Sequence, residues 1–205
     1  MEYKRELLFK ILVLGDFGVG KTSIVKRYAE DTFSPSYKIT IGADFALRTI
    51  EWNKDTRINL QLWDIAGHER FGSLTSVYYR YALAAAVVFD LTRPATFDSI
   101  DKWVTDLRDR ITLPNGSDIP IILLANKGDI TTSNIETEKL NAFCTKHKIL
   151  TWLITSAKEN INLDEAMNKL MKVTIENVDQ THTQSPKEQI ILTSDSKPQK
   201  RLCFI

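Results

Sequence analysis

Long hydrophobic runs are missing from this chain. The longest apolar stretch covers residues 82–89, far short of the ~20 residues that cross a bilayer. The N-terminus carries Glu2, Lys4, Arg5 and Glu6 in place of the apolar core of a signal peptide. Cysteine is scarce, two in 205 residues, Cys144 and Cys203, which excludes a disulfide framework and fits a reducing compartment. Charge of one sign is also lacking. With 27 basic against 26 acidic residues, net +1, there is no electrostatic case for nucleic acid. Histidine is rare, three residues, and His182, with no partner nearby, reads as a solvated side chain, not a metal ligand. No internal repeat is visible. What remains is one soluble domain with a full core, expected in the cytosol unless something anchors it.

Against that background one segment stands out. Gly15, Asp16, Phe17, Gly18, Val19, Gly20, Lys21, Thr22 and Ser23 follow the apolar run 9–14, which reads as a buried strand. Glycines at 15 and 20 allow the backbone to turn successive N–H groups toward a phosphate chain, and Lys21 supplies a charge for its β- and γ-phosphates. Thr22 supplies a hydroxyl for Mg²⁺, and a helix starting here adds its positive N-terminal end. The ligand so implied is a nucleoside triphosphate with Mg²⁺; the other reading is a glycine-rich turn with no ligand.

Strands are expected at 7–14, 45–52, 57–65, 84–90, 119–126 and 150–155, with the second and third joined by Asn53, Lys54 and Asp55 into an antiparallel hairpin. Segments 84–90 and 119–125 are apolar throughout, as for central strands covered on both faces. Helical patterns fill the gaps. In the last, Leu163, Ala166, Met167, Leu170 and Met171 form one apolar stripe, so the two methionines read as packing. Cys144 likewise reads as a small core residue on a helix. The fold class is α/β: a doubly wound, mostly parallel six-stranded sheet with one antiparallel edge strand, and its ligand belongs at the carboxyl ends of the strands. The domain is expected to span residues 1–175. From Glu176 the sequence turns polar, broken only by Ile190, Ile191 and Leu192, and residues 176–205 read as a flexible tail.

Three further segments fall at predicted strand ends. Asp64 can hold Mg²⁺ through water, and Gly67 lets its N–H approach a γ-phosphate. Asn126, Lys127, Gly128 and Asp129 end the fifth strand. A carboxylate at 129 accepts from N1–H and the exocyclic amine of guanine, whereas adenine presents an acceptor at N1 and would leave the charge unpaired. Ser156, Ala157 and Lys158 follow the sixth strand, where their backbone can complete a base pocket.

Together these motifs resemble the Ras-like small GTPases, specifically the Rab family, over residues 7 to about 175. The Rab-type marks are Ile41 to Phe45, Leu60 to Asp64, Arg70 and Phe71, Tyr78 to Arg80, and Val88 to Thr92. Ile65, Asp44 to Leu47 and Leu113 to Gly116 look like the subgroup serving lysosome-related organelles, phagosomes and mitochondria-associated membranes. The resemblance implies a P-loop NTPase of small G-protein fold that binds GTP or GDP with Mg²⁺ and hydrolyses GTP. Roles are carried over from the Ras template for phosphoryl transfer. Thr40 goes to Mg²⁺ and the γ-phosphate, Phe33 to the edge of the guanine, and Lys127 to its face. Lys21, Thr40, Gly67 and residue 68 belong to the hydrolytic centre. Phe45, Trp63 and Tyr78 match the aromatic triad that presents effectors with a surface, although three core aromatics are an equal reading of the residues alone. Other implied partners are an exchange factor, an activating protein, and Rab escort protein or GDI. The implied location is the cytoplasmic face of endosomal, lysosome-related or phagosomal membranes, with a cytosolic pool.

The chain departs from the family at three places. His68 stands where relatives carry the water-orienting glutamine, and its imidazole is shorter, with tautomer-dependent bonding. Phe17 stands where most Rabs have a small residue and should crowd the space an activating protein enters. Slow intrinsic hydrolysis and a GTP-biased population are expected, although Rab-type activators can supply both an arginine and a glutamine in trans. Cys203, third from the end in place of a four-residue C-a-a-X box, is the candidate for one prenyl chain, reinforced by Lys197, Lys200 and Arg201; an unmodified tail is the other reading. Two functions follow. One is a trafficking switch that turns over slowly and recruits effectors; the other is a GTP-loaded scaffold with negligible hydrolysis. A metabolic P-loop kinase has no use for the segment 126–129.

Overall fold

The computed structural model describes residues 3–36, 38–68, 75–131 and 136–184, the side chains of Thr75 and 181–184 excepted. The expectations on Arg70 and Phe71, on His182 as a side chain, and on 185–205 with Cys203 lie outside the described residues.

The elements run β1 (Arg5–Leu14), α1 (Lys21–Glu30), β2 (Ala43–Glu51), β3 (Thr56–Ile65), α2 (Thr75–Tyr79), β4 (Ala84–Asp90), α3 (Ala95–Asp98), α4 (Ile100–Arg110), β5 (Ile121–Asn126), α5 (Thr137–Lys146), β6 (Thr151–Ile154) and α6 (Leu163–Gln184). All six strands join one sheet in the order β2-β3-β1-β4-β5-β6. Only the β2–β3 pair is antiparallel. Its turn is closed by Trp52 N–H donating to Thr56 O at 3.0 Å and by Asp55 N–H donating to the Asn53 side chain at 2.9 Å, the local bonding that favours Asn in turns. β5 starts two residues later than the sequence suggests. Pro120 has no N–H for the ladder, and its carbonyl instead accepts from Ala85 at 3.0 Å.

Because strand side chains alternate in direction, the sheet carries two cores. On one face Phe9, Ile11, Val13, Ala86, Val88, Ile122 and Leu124 pack against Ile24 and Tyr28 of α1 and the α6 stripe Leu163, Ala166, Met167, Leu170 and Met171. On the other, Leu12, Leu14, Val87, Phe89, Leu123 and Ala125 meet Ile100, Trp103, Val104 and Leu107 of α4, and Leu140 and Cys144 of α5. Every residue of β4 and β5 is buried. Met167 and Met171 are core residues, as expected, and burial pushes the Cys144 thiol up to about 11, that of an inert packing group.

One boundary needs correction. The tail was expected to begin at Glu176, but α6 continues to Gln184. The apolar stripe does not stop at Met171: Thr174 is buried, Ile175 and Val178 pack against the core, and Arg5 pairs with Asp179. A run that is polar in composition stays helical because one residue per turn still finds apolar contact. Since the Arg5–Asp179 pair is exposed, the apolar contact carries most of the gain. A chain ending at residue 175 should therefore unfold below one ending at Gln184, by about 1–2 kcal/mol or roughly 3–6 °C, in a thermal melt at saturating nucleotide; equal midpoints would show the extension contributes nothing.

Candidate functional site

Parallel pairing puts the carboxyl ends of β1, β3, β4, β5 and β6 on one edge, so the segments after Leu14, Ile65, Asp90, Asn126 and Ile154 meet there. After β1 the chain loops into α1. Lys21, the first helical residue, is buried, and its Nζ donates to the carbonyls of Gly15 and Asp16, both at 3.0 Å. Burial lowers its pKa to about 8, against the pull of Asp64 and Asp16, with Arg93 lowering it further. Gly20 has φ 99°, and a Cβ there would strike the Asn126 amide. That amide donates to Val19 O at 2.9 Å, stitching the loop to the end of β5. Trp103 Nε1 donates to Asp16 Oδ1 at 2.8 Å, and Arg93 Nη2 to Phe17 O at 2.9 Å. Gly67 closes against the same loop: a Cβ would lie 2.6 Å from the Asp16 carbonyl carbon and 2.8 Å from Phe17 Cα, so no other residue fits.

Beside the lysine, three oxygens converge. Thr22 Oγ1 lies 2.9 Å from Thr40 Oγ1, Thr40 donates to Asp64 Oδ2 at 3.2 Å, and Thr22 donates to the same atom. Asp64 is buried, and its Oδ1 has no hydrogen-bond partner among the described residues. Burial raises its pKa; the Thr22 hydroxyl, Lys21 and Thr40 oppose this. A buried carboxylate with an unused oxygen beside two hydroxyls is the hard-oxygen donor set that suits Mg²⁺, so the residues fit that ion.

At the other end, Lys127 adopts φ 66° and its Nζ pairs with Asp90 Oδ2 at 2.7 Å. Arg93 Nε reaches the same oxygen at 2.9 Å, and Thr92 donates to Oδ1 from N–H at 2.9 Å and from Oγ1 at 2.6 Å. Burial alone would raise the Asp90 pKa, but the bonds from Lys127, Thr92 and Arg93 take it below the usual carboxylate value. Asp129 Oδ1 accepts from Ser156 Oγ at 2.6 Å, and Gly128 N–H donates to Thr155 O at 3.0 Å. From α1, Arg27 holds the carbonyls of Ala157 at 2.9 Å and Lys158 at 3.2 Å.

These groups surround a cavity of about 490 Å³, within the usual range for small-molecule sites. Of the residues singled out in the sequence, Phe17, Gly18, Gly20, Lys21, Thr22, Ser23, Phe33, Thr40, Gly67, Asn126, Lys127, Asp129, Ala157 and Lys158 line it. Gly15, Asp16, Val19, Asp64 and Ser156 are not in the lining and support it through the contacts above. His68 is also outside the lining, and it is exposed. The sequence reading missed Lys26, Lys38 and Ile130 on the wall, which carry no motif. It also missed the roles of Arg27, Asp90 and Arg93, whose contacts with Ala157, Lys127 and Phe17 cross long sequence separations. The aromatic triad divides: Phe45 is 56% exposed and stacks on Trp63 at 5.6 Å, with Lys10 Nζ 3.7 Å over the Trp63 ring, whereas Trp63 and Tyr78 are half-buried and pack against the core under α4. Ile41 and Leu47 extend that exposed surface.

The Ras family model matches residues 10–176. Ras-related protein Rab-32B of Dictyostelium discoideum is 48% identical over 94% of this chain and 74% of its own length. Rab-32 of Mus musculus is 51% identical over 92% and 83%, and Rab-7L1 of Rattus norvegicus 45% over 84% and 85%. A six-stranded sheet of this order, a phosphate loop closed on Lys21 and likeness along most of the chain agree: the protein belongs to the Ras family, in its Rab group of GTP-binding GTPases that switch membrane traffic.

Proposed function

We propose that this Rab acts on endosomal, lysosome-related or phagosomal membranes, holds guanine nucleotide in the cavity between Lys21 and Asp129, and hydrolyses GTP slowly without help. The observation that carries the reading is the span of that cavity. It has a buried ammonium with convergent hydroxyl and carboxylate oxygens at one end, and at the other a carboxylate oriented by Ser156. Phosphates belong at the first end, where Lys21, the loop N–H groups and the start of α1 offer positive potential. Mg²⁺ bound by Thr22, Thr40 and Asp64 would neutralise charge on the β- and γ-phosphates. Phe33, Lys127 and the backbone of 156–158 would frame the base, and Asp129 would select guanine. Thr40 and Gly67 tie the segments carrying the aromatic triad to the γ-phosphate, so its loss frees them.

Slow turnover follows from His68 and Phe17. His68 is exposed and off the cavity wall, while Phe17, 47% exposed, is part of it. The same two observations favour the second reading, a scaffold that stays GTP-loaded. Effectors would meet Phe45, Trp63 and Tyr78, with exchange factor, activating protein and Rab escort protein or GDI acting at the same switches. A lipid on Cys203, assisted by Lys197, Lys200 and Arg201, would supply the membrane anchor.

Asp129→Asn keeps an oxygen for the Ser156 hydroxyl but turns a donor to the base. It should shift preference from guanine to xanthine nucleotides by about a hundredfold in a competition assay; a parent that takes ATP as readily as GTP would sink the site.

The free Lys21 ammonium, lowered to about 8, is favoured by bound phosphates, which raise its pKa. Affinity for GDP should therefore be complete below about pH 8 and fall as pH rises above it, by up to about tenfold per unit. A flat titration from pH 7 to 9 would show that Lys21 keeps its charge without nucleotide.

His68→Gln should raise single-turnover GTP hydrolysis about tenfold, ~1.4 kcal/mol of barrier. Adding Phe17→Ser should raise it further and non-additively, with nucleotide affinity hardly changed. No acceleration in the double variant would show that both residues are neutral here and that slow turnover has no basis in them.

A further inference from the structure

We propose that Arg93 is a positioning residue for nucleotide retention: it holds the Phe17–Gly18 peptide with its N–H toward the cavity and ties that peptide to the base-binding end of β5. The inference rests on the reading of the cavity as the nucleotide site.

The guanidinium spans two anchors. Its Nε donates to Asp90 Oδ2 at 2.9 Å and its Nη2 to Phe17 O at 2.9 Å. Asp90 cannot follow a moving partner, because its carboxylate is fully buried, takes Lys127 Nζ on the same oxygen at 2.7 Å, and is fixed on the other by Thr92. A half-exposed arginine is thereby held in one geometry. It covers the outer side of the loop, 3.4 Å from where a Gly18 Cβ would stand.

The consequence is local. A trans peptide points its C=O and its N–H in opposite directions. With the Phe17 carbonyl drawn outward to Arg93, the Gly18 N–H of the same peptide faces the other way, toward the cavity Gly18 lines. Gly18 has φ +72° and, having no Cβ, resists rotation of this peptide little. Without Arg93 the plane could flip and present a carbonyl oxygen where phosphate oxygens belong. The bond to a charged donor also polarises the peptide and strengthens its N–H. Because Asp90 Oδ2 is shared with Lys127, the phosphate loop and the base loop are braced on one atom. Lysine cannot replace this arrangement, since two donors at a fixed angle are a property of the guanidinium fork.

The test uses the full chain loaded with fluorescent GDP, comparing the parent, Arg93→Lys, Arg93→Ala and, as control, Arg110→Ala, which removes an exposed pair with Asp106. Arg93→Lys keeps a cation for Asp90 and loses the second donor. Release of GDP should be about tenfold faster in both Arg93 variants, and the ³¹P resonance of the bound β-phosphate should move. Arg110→Ala should match the parent in both. Parent-like release and resonance in Arg93→Lys would overturn the proposal. So would faster release with an unmoved resonance and a lowered melting midpoint, which describes a merely structural arginine. If Arg93→Ala does not fold, Arg93→Lys decides. A parent that fails to retain GDP over ADP would refute the site reading, and this inference with it; an Arg93 failure in a parent that does retain it leaves the site reading intact.

Discussion

The parallel pairing of β1 with both β3 and β4 is the constraint on which the rest depends. It brings Leu12 opposite Trp63 and Val13 opposite Asp64 on one side, and Leu14 opposite Val87 on the other. Loops that follow these strands therefore emerge together at one edge. A slip of one residue in either pairing would turn alternate side chains to the wrong face and break both cores. The register that buries Phe9, Ile11 and Val13 against α1 and α6 is thus the register that places Asp64 beside Thr22 and Lys21. Core packing and site geometry are one choice.

Within that frame the polar groups at the strand ends are costly to bury and are matched accordingly. The Lys21 ammonium is satisfied by two loop carbonyls, and Asp90 carries bonds on both oxygens. Asp64 is the exception, with one oxygen unmatched among the described residues. An unmatched buried carboxylate oxygen is unfavourable in isolation, and it sits in the cluster best suited to a divalent cation. A cation and phosphates bound there, as proposed, would restore that stability, the linkage expected of a ligand that recognises only the folded state.

On the proposed reading, switching would follow from how lightly Thr40 and Gly67 are held. Thr40 joins the site through hydroxyl contacts to Thr22 and Asp64, and Gly67 through backbone contact alone. Neither is anchored by burial of a large side chain, whereas Phe45 and Trp63 stack on each other over a half-exposed sheet face. A γ-phosphate bonded to Thr40 and Gly67, as proposed, would order a surface of considerable apolar area with a few polar contacts. Phe17 adds bulk at the cavity wall, and its carbonyl is held from outside by Arg93.

Much of this was legible in the chain itself. Alternation and apolar runs placed six strands and one hairpin to within a few residues, because burial on one or both faces leaves a period that local sequence must carry. The phosphate loop and the segment 126–129 were legible because phosphate and guanine demand fixed residue types at fixed spacing. The C-terminal boundary was misjudged, since Val178 and the Arg5–Asp179 pair matter only where α6 lies against β1 and its neighbours. The contacts of Arg27 with Lys158, of Arg93 with Phe17 and of Asp90 with Lys127 gave no local sign, since the partners lie up to 131 positions away. The residue types and the chemistry they can perform were determined by the sequence alone. Which carbonyl Arg93 holds, which oxygen Lys127 shares and whether Phe45 faces solvent were decided by tertiary structure, because those properties depend on distances between segments that local pattern does not encode.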